Sequence, residues 1–315
     1  MIPVAGGKAR ILVVGSLNMD LVLKTARLPQ PGESLFGSEH LMVPGGKGAN
    51  QAVAAARLGG ATTLIGRVGE DPDGRRLRDS LRQEGVDDRF VSADPSRQTG
   101  LGVVILEDTG ENRIIVYPGA NLGVTVDDLA PAFAEPWDAV ITQLEVPGLV
   151  VVETCRLGRA KGFPAILDAG PAQPFPLEEL GGLEILTPNE TEALALTGID
   201  TAERGGVERA AEVLQRRSQA RFIVIKLGVR GAFLYGDGLA EPFPANPVRV
   251  VDPTAAGDAF TAELTLQYVA HGDIRRAVHY AGLAGALAVT RLGAQPSLPG
   301  ADEMREFARG RGLEW

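Results

Sequence analysis

Residues 252–260 read DPTAAGDAF, with one acid, Asp258, set among small residues where the apolar stretch AFTAELTLQYVA begins. Ala255, Ala256 and Gly257 give up side-chain packing, and Gly257 adds a backbone-entropy cost. Such a pattern lets another molecule approach the main chain. If a helix starts here, its first amides lack intrahelical acceptors and sit at the positive end of the helix dipole. Phosphate binds readily at such an end. The dipole would also hold an acid in that first turn ionised. A helix-capping carboxylate is the commoner role for such an acid, yet a cap needs no clearing around it.

A second candidate is GGKGANQAVAAARLGG (45–60), glycines followed by an unbroken helical pattern. Backbone N–H groups and Lys47 would contact a polar ligand, with Asn50 projecting from the first turn. The same residues read equally as a glycine-rich strand-to-helix turn with a solvated lysine. TPNETEALALTG (187–198) puts Asn189 and Glu192 three residues apart at a helix start. Alone, the pair is best read as a capping box; the alternative is a polar pair beside a metal-bound phosphate, and Glu192 can serve both. The sequence contains no GxxxxGK[ST], GxGxxG or GxSxG, and His40, His271 and His279 lack metal-ligand spacing.

These stretches need elements to hold them. Strands are expected at 11–16, 62–68, 139–144, 165–170, 184–189 and 222–228, with helices at 49–58, 73–84, 150–161, 189–197 and 207–217. The strands are continuously apolar, which means that both sheet faces are covered, as in a doubly wound, mainly parallel α/β sheet. Two segments break the rhythm. Residues 19–43 hold LVLKTARL, a PQPG turn and SLFGSEHLMV; residues 101–117 hold two strands about a DTGEN turn. They are expected to form a small β-sheet lid inserted from two places, 18–43 and 99–121. The α/β core would then comprise 1–17, 44–98 and 122–315.

The chain has 315 residues, 44% of them hydrophobic and 23% charged, within the soluble globular range. A net charge of −9 offers no basic face for nucleic acid. One cysteine, Cys155, cannot form an internal disulfide, and it reads as a core thiol in a reducing compartment. The opening MIPVAGGKAR lacks the order of a secretory signal, and the longest apolar run, YAGLAGALAV, is far too short to span a bilayer. The expected location is the cytoplasm.

GSLNMD (15–20), GGKGANQA (45–52), QLEVP (143–147), TPNETEA (187–193), LGVRG (227–231), DPTAAGDAF (252–260) and VTRLGAQPS (289–297) occur in this order over nearly the whole chain. Together they resemble the ribokinase branch of the PfkB family of carbohydrate kinases. The resemblance implies ATP-dependent phosphorylation of D-ribose at its 5-hydroxyl, with Mg²⁺ beside ATP and K⁺ or another monovalent cation as activator. It implies a homodimer formed through the lid. Asn18, Asp20, Gly46, Lys47, Asn50 and Glu145 would hold the sugar. Asp258 would be the general base, and the amides around Ala255, Ala256 and Gly257 the anion hole. Asn189 and Glu192 would act around Mg²⁺ and phosphate, largely through water. Lys226, Leu227, Gly228, Val229, Arg230 and Gly231 would border the nucleotide, and Gly282 its adenine. Asp252, Thr254, Ala288, Arg291, Gly293 and Ser297 would supply the monovalent-cation loop, mostly through carbonyls.

This chain departs from the pattern at three places. Pro253 stands where Thr is frequent, LDAGP (167–171) where many members have Asn-Pro, and Glu263 where a small residue is usual. An acid at 263 is expected to disturb packing or water near the nucleotide. Other acceptors (2-deoxyribose, fructose, a nucleoside) and a non-catalytic sugar-binding protein are the competing readings. Ribose is favoured because Asn18, Asp20, Lys47 and Asn50 offer polar groups that a missing hydroxyl would leave unpaired, at roughly 1–3 kcal/mol each when buried.

Overall fold

A computed structural model describes residues 7–109 and 112–315. Residues 1–6 of the opening segment and 110–111 at the tip of the DTGEN turn lie outside the described residues. The core begins with β1 (Arg10–Val14), in which Ile11 to Val14 are fully buried. β2 (Asn18–Thr25) and β3 (Glu39–Gly45) leave it, and α1 (Lys47–Arg57) re-enters. β4 (Ala61–Gly69), α2 (Pro72–Gln83) and β5 (Asp87–Asp94) follow. A second excursion, β6 (Gly100–Glu107) and β7 (Asn112–Tyr117), returns ahead of the single turn α3 (Ala130–Phe133). Then come β8 (Ala139–Gln143), α4 (Gly148–Lys161), β9 (Ala165–Asp168) and β10 (Ile185–Thr187). Next are α5 (Glu190–Thr197), α6 (Gly206–Ser218) and β11 (Phe222–Lys226). The hairpin β12 (Ala232–Gly236) and β13 (Leu239–Phe243) precedes α7 (Ala256–His271), α8 (Ile274–Ala288) and α9 (Ala301–Arg309).

Nine strands form the main sheet in the order β13-β12-β11-β10-β9-β8-β1-β4-β5. All its pairings are parallel except those of the β11–β12–β13 edge. Side chains alternate across a strand, so Ile11 and Val13 join one core with α1, α7 and α8, while Leu12 and Val14 join the other with α4 and α6. Covering both faces is what permits the uninterrupted apolar strands. The small sheet has four strands in the order β3-β2-β6-β7; β2 and β6 are parallel, the flanking pairs antiparallel. Asn121 clasps its root: its Oδ1 accepts from Leu17 N at 2.8 Å, and its Nδ2 donates to Leu17 O and Asn18 Oδ1.

The α/β class and the two sheets agree with the sequence reading. Several details differ. SLFGSEHLMV pairs only from Glu39 onward, and the reading had no place for β5, β12, β13 or α9. The β12–β13 turn carries Asp237 at φ 50 and Gly238 at φ 78, an Asp-Gly pair suited to a tight hairpin. Among the described residues no helix is long and apolar enough to cross a membrane.

One close approach sets the geometry between β1 and α1. A Cβ on Gly48 would lie 2.5 Å from Gly15 C and Ser16 N, both backbone atoms. Gly48→Ala is therefore expected to destabilise the fold by about 1–3 kcal/mol through overpacking. Urea unfolding checks this, and an unchanged midpoint would refute it.

Candidate active site

From β1 the sheet order runs outward to β8 on one side and β4 on the other, so a crevice opens at the carboxyl ends of these strands. Ser16 follows β1 and Glu145 follows β8; Asp168 ends β9, Asn189 follows β10 and Lys226 ends β11. Glu145 Oε2 accepts from Ser16 Oγ at 2.5 Å and from Lys47 N at 3.2 Å, joining three motifs distant in sequence. Asn18 and Asp20 enter from the small sheet. A Cβ on Gly45 or Gly102 would fall 2.0 or 2.2 Å from an Asp20 carboxylate oxygen, so two glycines make its berth. Burial, then the Glu145 and Asp258 charges, push Asp20 up to about 7. Gly46, at φ 88, brings the chain into α1.

The centre of the crevice is a hydrogen-bonded set of carboxylates. Asp258 Oδ2 accepts from Asn50 Nδ2 at 2.9 Å, and its Oδ1 from Gln51 Nε2 at 3.0 Å. The same Gln51 Nε2 donates to Asp168 Oδ2 at 2.7 Å, and Gln143 Nε2 donates to Gln51 Oε1 at 2.6 Å. Lys226 Nζ donates to Asp168 Oδ1 at 2.8 Å, and Lys47 Nζ stands 3.8 Å from Asp168 Oδ2. Asn50 Oδ1 is buried without a hydrogen-bond partner among the described residues, an acceptor left over on the amide that holds Asp258.

Burial and neighbouring charge compete here. Burial pushes Asp258 up to about 6, with Asp168 adding to the rise and Lys47, Asn50 and Gln51 opposing it. Asp168 is more deeply placed still, and burial works against its charge. Lys226, Lys47 and Gln51 outweigh that and hold it below the usual range. Burial also opposes the Lys47 charge, but Asp168, Asp258, Glu192 and Glu145 outweigh it and raise the lysine. Glu192 is raised, chiefly by burial.

Asp258 does not cap its helix; its carboxylate turns to α1, and αL Ala255 (φ 60) precedes the first turn of α7. Ala256 N donates to Pro253 O at 3.3 Å, while Gly257 and Asp258 sit where a helix offers their amides no partner. Asn189 and Glu192 do form the capping box: Glu192 N donates to Asn189 Oδ1 at 2.9 Å and Asn189 N to Glu192 Oε2 at 2.7 Å. Glu192 nonetheless reaches the crevice, since a Cβ on Gly170 would lie 2.6 Å from both its Oε1 and Lys47 Nζ. Gly228 to Gly231 form a turn closed by Leu227 N to Gly231 O at 2.8 Å, with Val229 exposed. Arg230 turns away to Glu190 and Thr201. Gly282 on α8 faces Asn246.

The residues expected to supply a cation loop are joined by hydrogen bonds between the 252–254 and 289–297 segments. Asp252 Oδ1 accepts from Thr254 N and Oγ1, and its Oδ2 from Gly293 N at 2.8 Å. Ala288 O accepts from Arg291 N at 3.4 Å, Ser297 Oγ donates to Ala294 O, and the Arg291 side chain pairs with Glu303. With the Asp252 carboxylate already engaged, a cation here would meet carbonyl oxygens, hard donors suited to it. Among the described residues no group of three or more His, Cys, Asp or Glu is arranged to hold a metal.

Gln51, Gln143 and Asp168 are absent from the sequence-based list of site residues, although Gln51 joins the two central carboxylates. The signal available was LDAGP, an acid at the end of a strand. Glu263 lies apart from this cluster: Gln267 Nε2 and Trp315 Nε1 donate to its Oε1, and burial raises it to about 7. Its contacts lie along α7 and with Trp315, not with the nucleotide-loop residues. Cys155 is fully buried, its thiol pushed up to about 12 by burial.

Known proteins share this architecture. Residues 8–301 match the pfkB family carbohydrate kinases. The ribokinase of Haemophilus influenzae is 33% identical over 299 residues, covering 94% of this chain and 97% of that protein. The ribokinase of Bacillus subtilis is 36% identical over 306 residues, covering 94% and 98%. The structure of Arabidopsis thaliana ribokinase complexed with ribose and ATP has a TM-score of 0.85 at 32% identity, over 95% of this chain and 98% of that one. With both sheets and every motif of the crevice inside the matched span, the chain belongs to the pfkB family of carbohydrate kinases.

Proposed function

We propose that this chain transfers the γ-phosphoryl group of ATP to the 5-hydroxyl of D-ribose. The observation that carries the reading is Asp258, buried at the head of α7, fixed through both oxygens by Asn50 and Gln51, and raised to about 6. Such a carboxylate is ionised at neutral pH yet basic enough to accept a proton. Asn18, Asp20, Gly46, Lys47, Asn50 and Glu145 line the sugar side, and the buried Asn50 Oδ1 supplies an acceptor for a sugar hydroxyl. The ribokinases named above support ribose over the other acceptors.

As the sugar oxygen approaches phosphorus, Asp258 takes its proton, the new O–P bond forms, and the bond to the bridging oxygen of ADP breaks. Positioning and charge stabilisation dominate such a transfer. The charge on the transferring group meets the amides of the 255–258 turn, those of Gly257 and Asp258 foremost, since Ala256 N already donates to Pro253 O. Mg²⁺ would enter with ATP, bound mainly by phosphate oxygens and water. The buried Glu192, held by Asn189 and facing Lys47, suits a water-mediated contact better than direct ligation. Lys226 to Gly231 and Gly282 would border the nucleotide. A monovalent cation in the 252–254 and 288–297 loops would act on the shape and field of the neighbouring turn.

Residues 18–43 and 99–121 serve as the lid in this reading. Its outer strand β7 exposes Ile114, Ile115, Val116 and Tyr117, an unusual apolar edge for a monomer. A second copy of the chain is the proposed cover, and the cytoplasm the proposed location.

ATP consumption with ribose, 2-deoxyribose, fructose and adenosine tests the function. Ribose should give the highest kcat/KM, and Asp258→Asn should lower kcat by about 10²–10⁴. Because the base must be ionised, kcat/KM should fall as pH drops through about 6. No sugar-dependent turnover, or an unaffected mutant, would overturn the reading. Replacing a large organic cation by K⁺ should raise activity; a flat response would remove the cation site. Sedimentation should show a dimer at micromolar concentration, and a monomer there would count against the lid contact.

A further inference from the structure

Lys226 is held in a way that neutralising Asp168 does not account for. The Nζ donates to Asp168 Oδ1 at 2.8 Å, yet an ammonium carries three donors. Among the described residues Asp168 is the only hydrogen-bond acceptor of this ammonium. The side chain keeps a small opening, 12% exposed, at the carboxyl end of β11, whereas Asp168 beneath it is fully buried. The ammonium also lies against the head of α7, because a Cβ on Gly257 would come 3.5 Å from Nζ. A buried ion pair is a weak device for stability, and an apolar pair of similar volume often serves as well. A compact charge on a flexible stem beside an anion-binding turn is suited to another task.

We propose that Lys226 is a catalytic residue that contacts the transferring phosphoryl group, with Asp168 as its resting partner and positioning residue. This rests on the phosphoryl-transfer reading given above. When the phosphoryl oxygens arrive beside Gly257, the ammonium donates to them while keeping its bond to Asp168. It exchanges no proton: Asp258 holds the proton from the sugar, and Lys226 offsets charge on the phosphoryl oxygens. Asp168 in turn shares the Gln51 amide with Asp258, so one carboxylate orients the cation and helps fix the base. Lys47, the other ammonium here, lies against Gly170, whereas Lys226 lies against Gly257 at the head of α7; both ammonium groups act on Glu192.

The test is a double-mutant cycle on the full chain with Lys226→Met, Asp168→Asn and the double variant, plus Lys226→Arg. Lys226→Met should lower kcat by about 10²–10³, as loss of one transition-state donor does, with the sugar KM changed less than about threefold. Lys226→Met should still lower kcat by at least about tenfold in the Asp168→Asn background, less than in wild type because the ammonium has lost its orienting carboxylate, and Lys226→Arg should recover part of the loss. If Lys226 only neutralises Asp168, the methionine has no effect once residue 168 is uncharged, and the proposal falls. A second readout does not depend on turnover. ADP with tetrafluoroaluminate should bind Lys226→Met about 10²-fold more weakly than it binds wild type, with ADP alone nearly unchanged. Equal weakening of both, or of neither, refutes the contact. Wild-type protein that binds both but phosphorylates no sugar would instead overturn the proposed function and leave the lysine contact standing.

Discussion

A carboxylate withdrawn from water must be met by donors or opposite charge, or it takes up a proton. The crevice of this protein is built around that constraint. Asp168 and Asp258 lie at the ends of different elements and share one amide nitrogen, that of Gln51, itself oriented by Gln143. Lys226 and Lys47 complete the charge around Asp168. The two acids respond in opposite directions to the same surroundings. Asp168, nearest both ammonium groups, is held ionised; Asp258, met only by amides and the more distant Lys47, is left more basic. That difference separates an anchoring acid from one able to accept a proton.

Placing these groups requires close backbone approaches. Gly15 and Gly48 let α1 lie against the end of β1, which carries Asn50 and Gln51 to Asp258. Gly170 leaves room for Lys47 and Glu192, and Gly45 with Gly102 for Asp20. The small sheet is rooted by Asn121 directly beside Asn18. The polar groups of the crevice thus come from two sheets, while one buried asparagine fixes how the second sheet leaves the first.

Much of this was legible in the sequence. Unbroken apolar strands with intervening helical patterns announce a covered parallel sheet, and the ordered motifs place most of the crevice. The rest was hidden for physical reasons. Gln51 sits in ANQAVAAAR, where a polar residue beside alanines looks like ordinary helix surface until α7 packs over it. Asp168 looks like a turn residue until the ends of β9 and β11 are seen to be neighbours of the crevice. The strand β5 reads DDRFVSAD, its charges masking a half-buried edge, and β13 contains a proline. Glu263 was legible as an anomaly but not as a partner of Trp315, because contacts far apart in sequence leave no local pattern.

The strand orders carry a consequence for how the molecule is made. In each sheet an early strand occupies an interior position: β1 lies between β4 and β8, and β2 between β3 and β6. During synthesis β1 can gain β4 soon after it emerges, but its other edge stays open until β8 appears beyond both excursions of the small sheet. Such non-local pairings are slow to form, and open apolar edges invite association with other chains. A nascent chain stalled before Ala139 therefore exposes the edge of β1, a strand whose Ile11 to Val14 are fully buried in the finished protein, until β8 arrives.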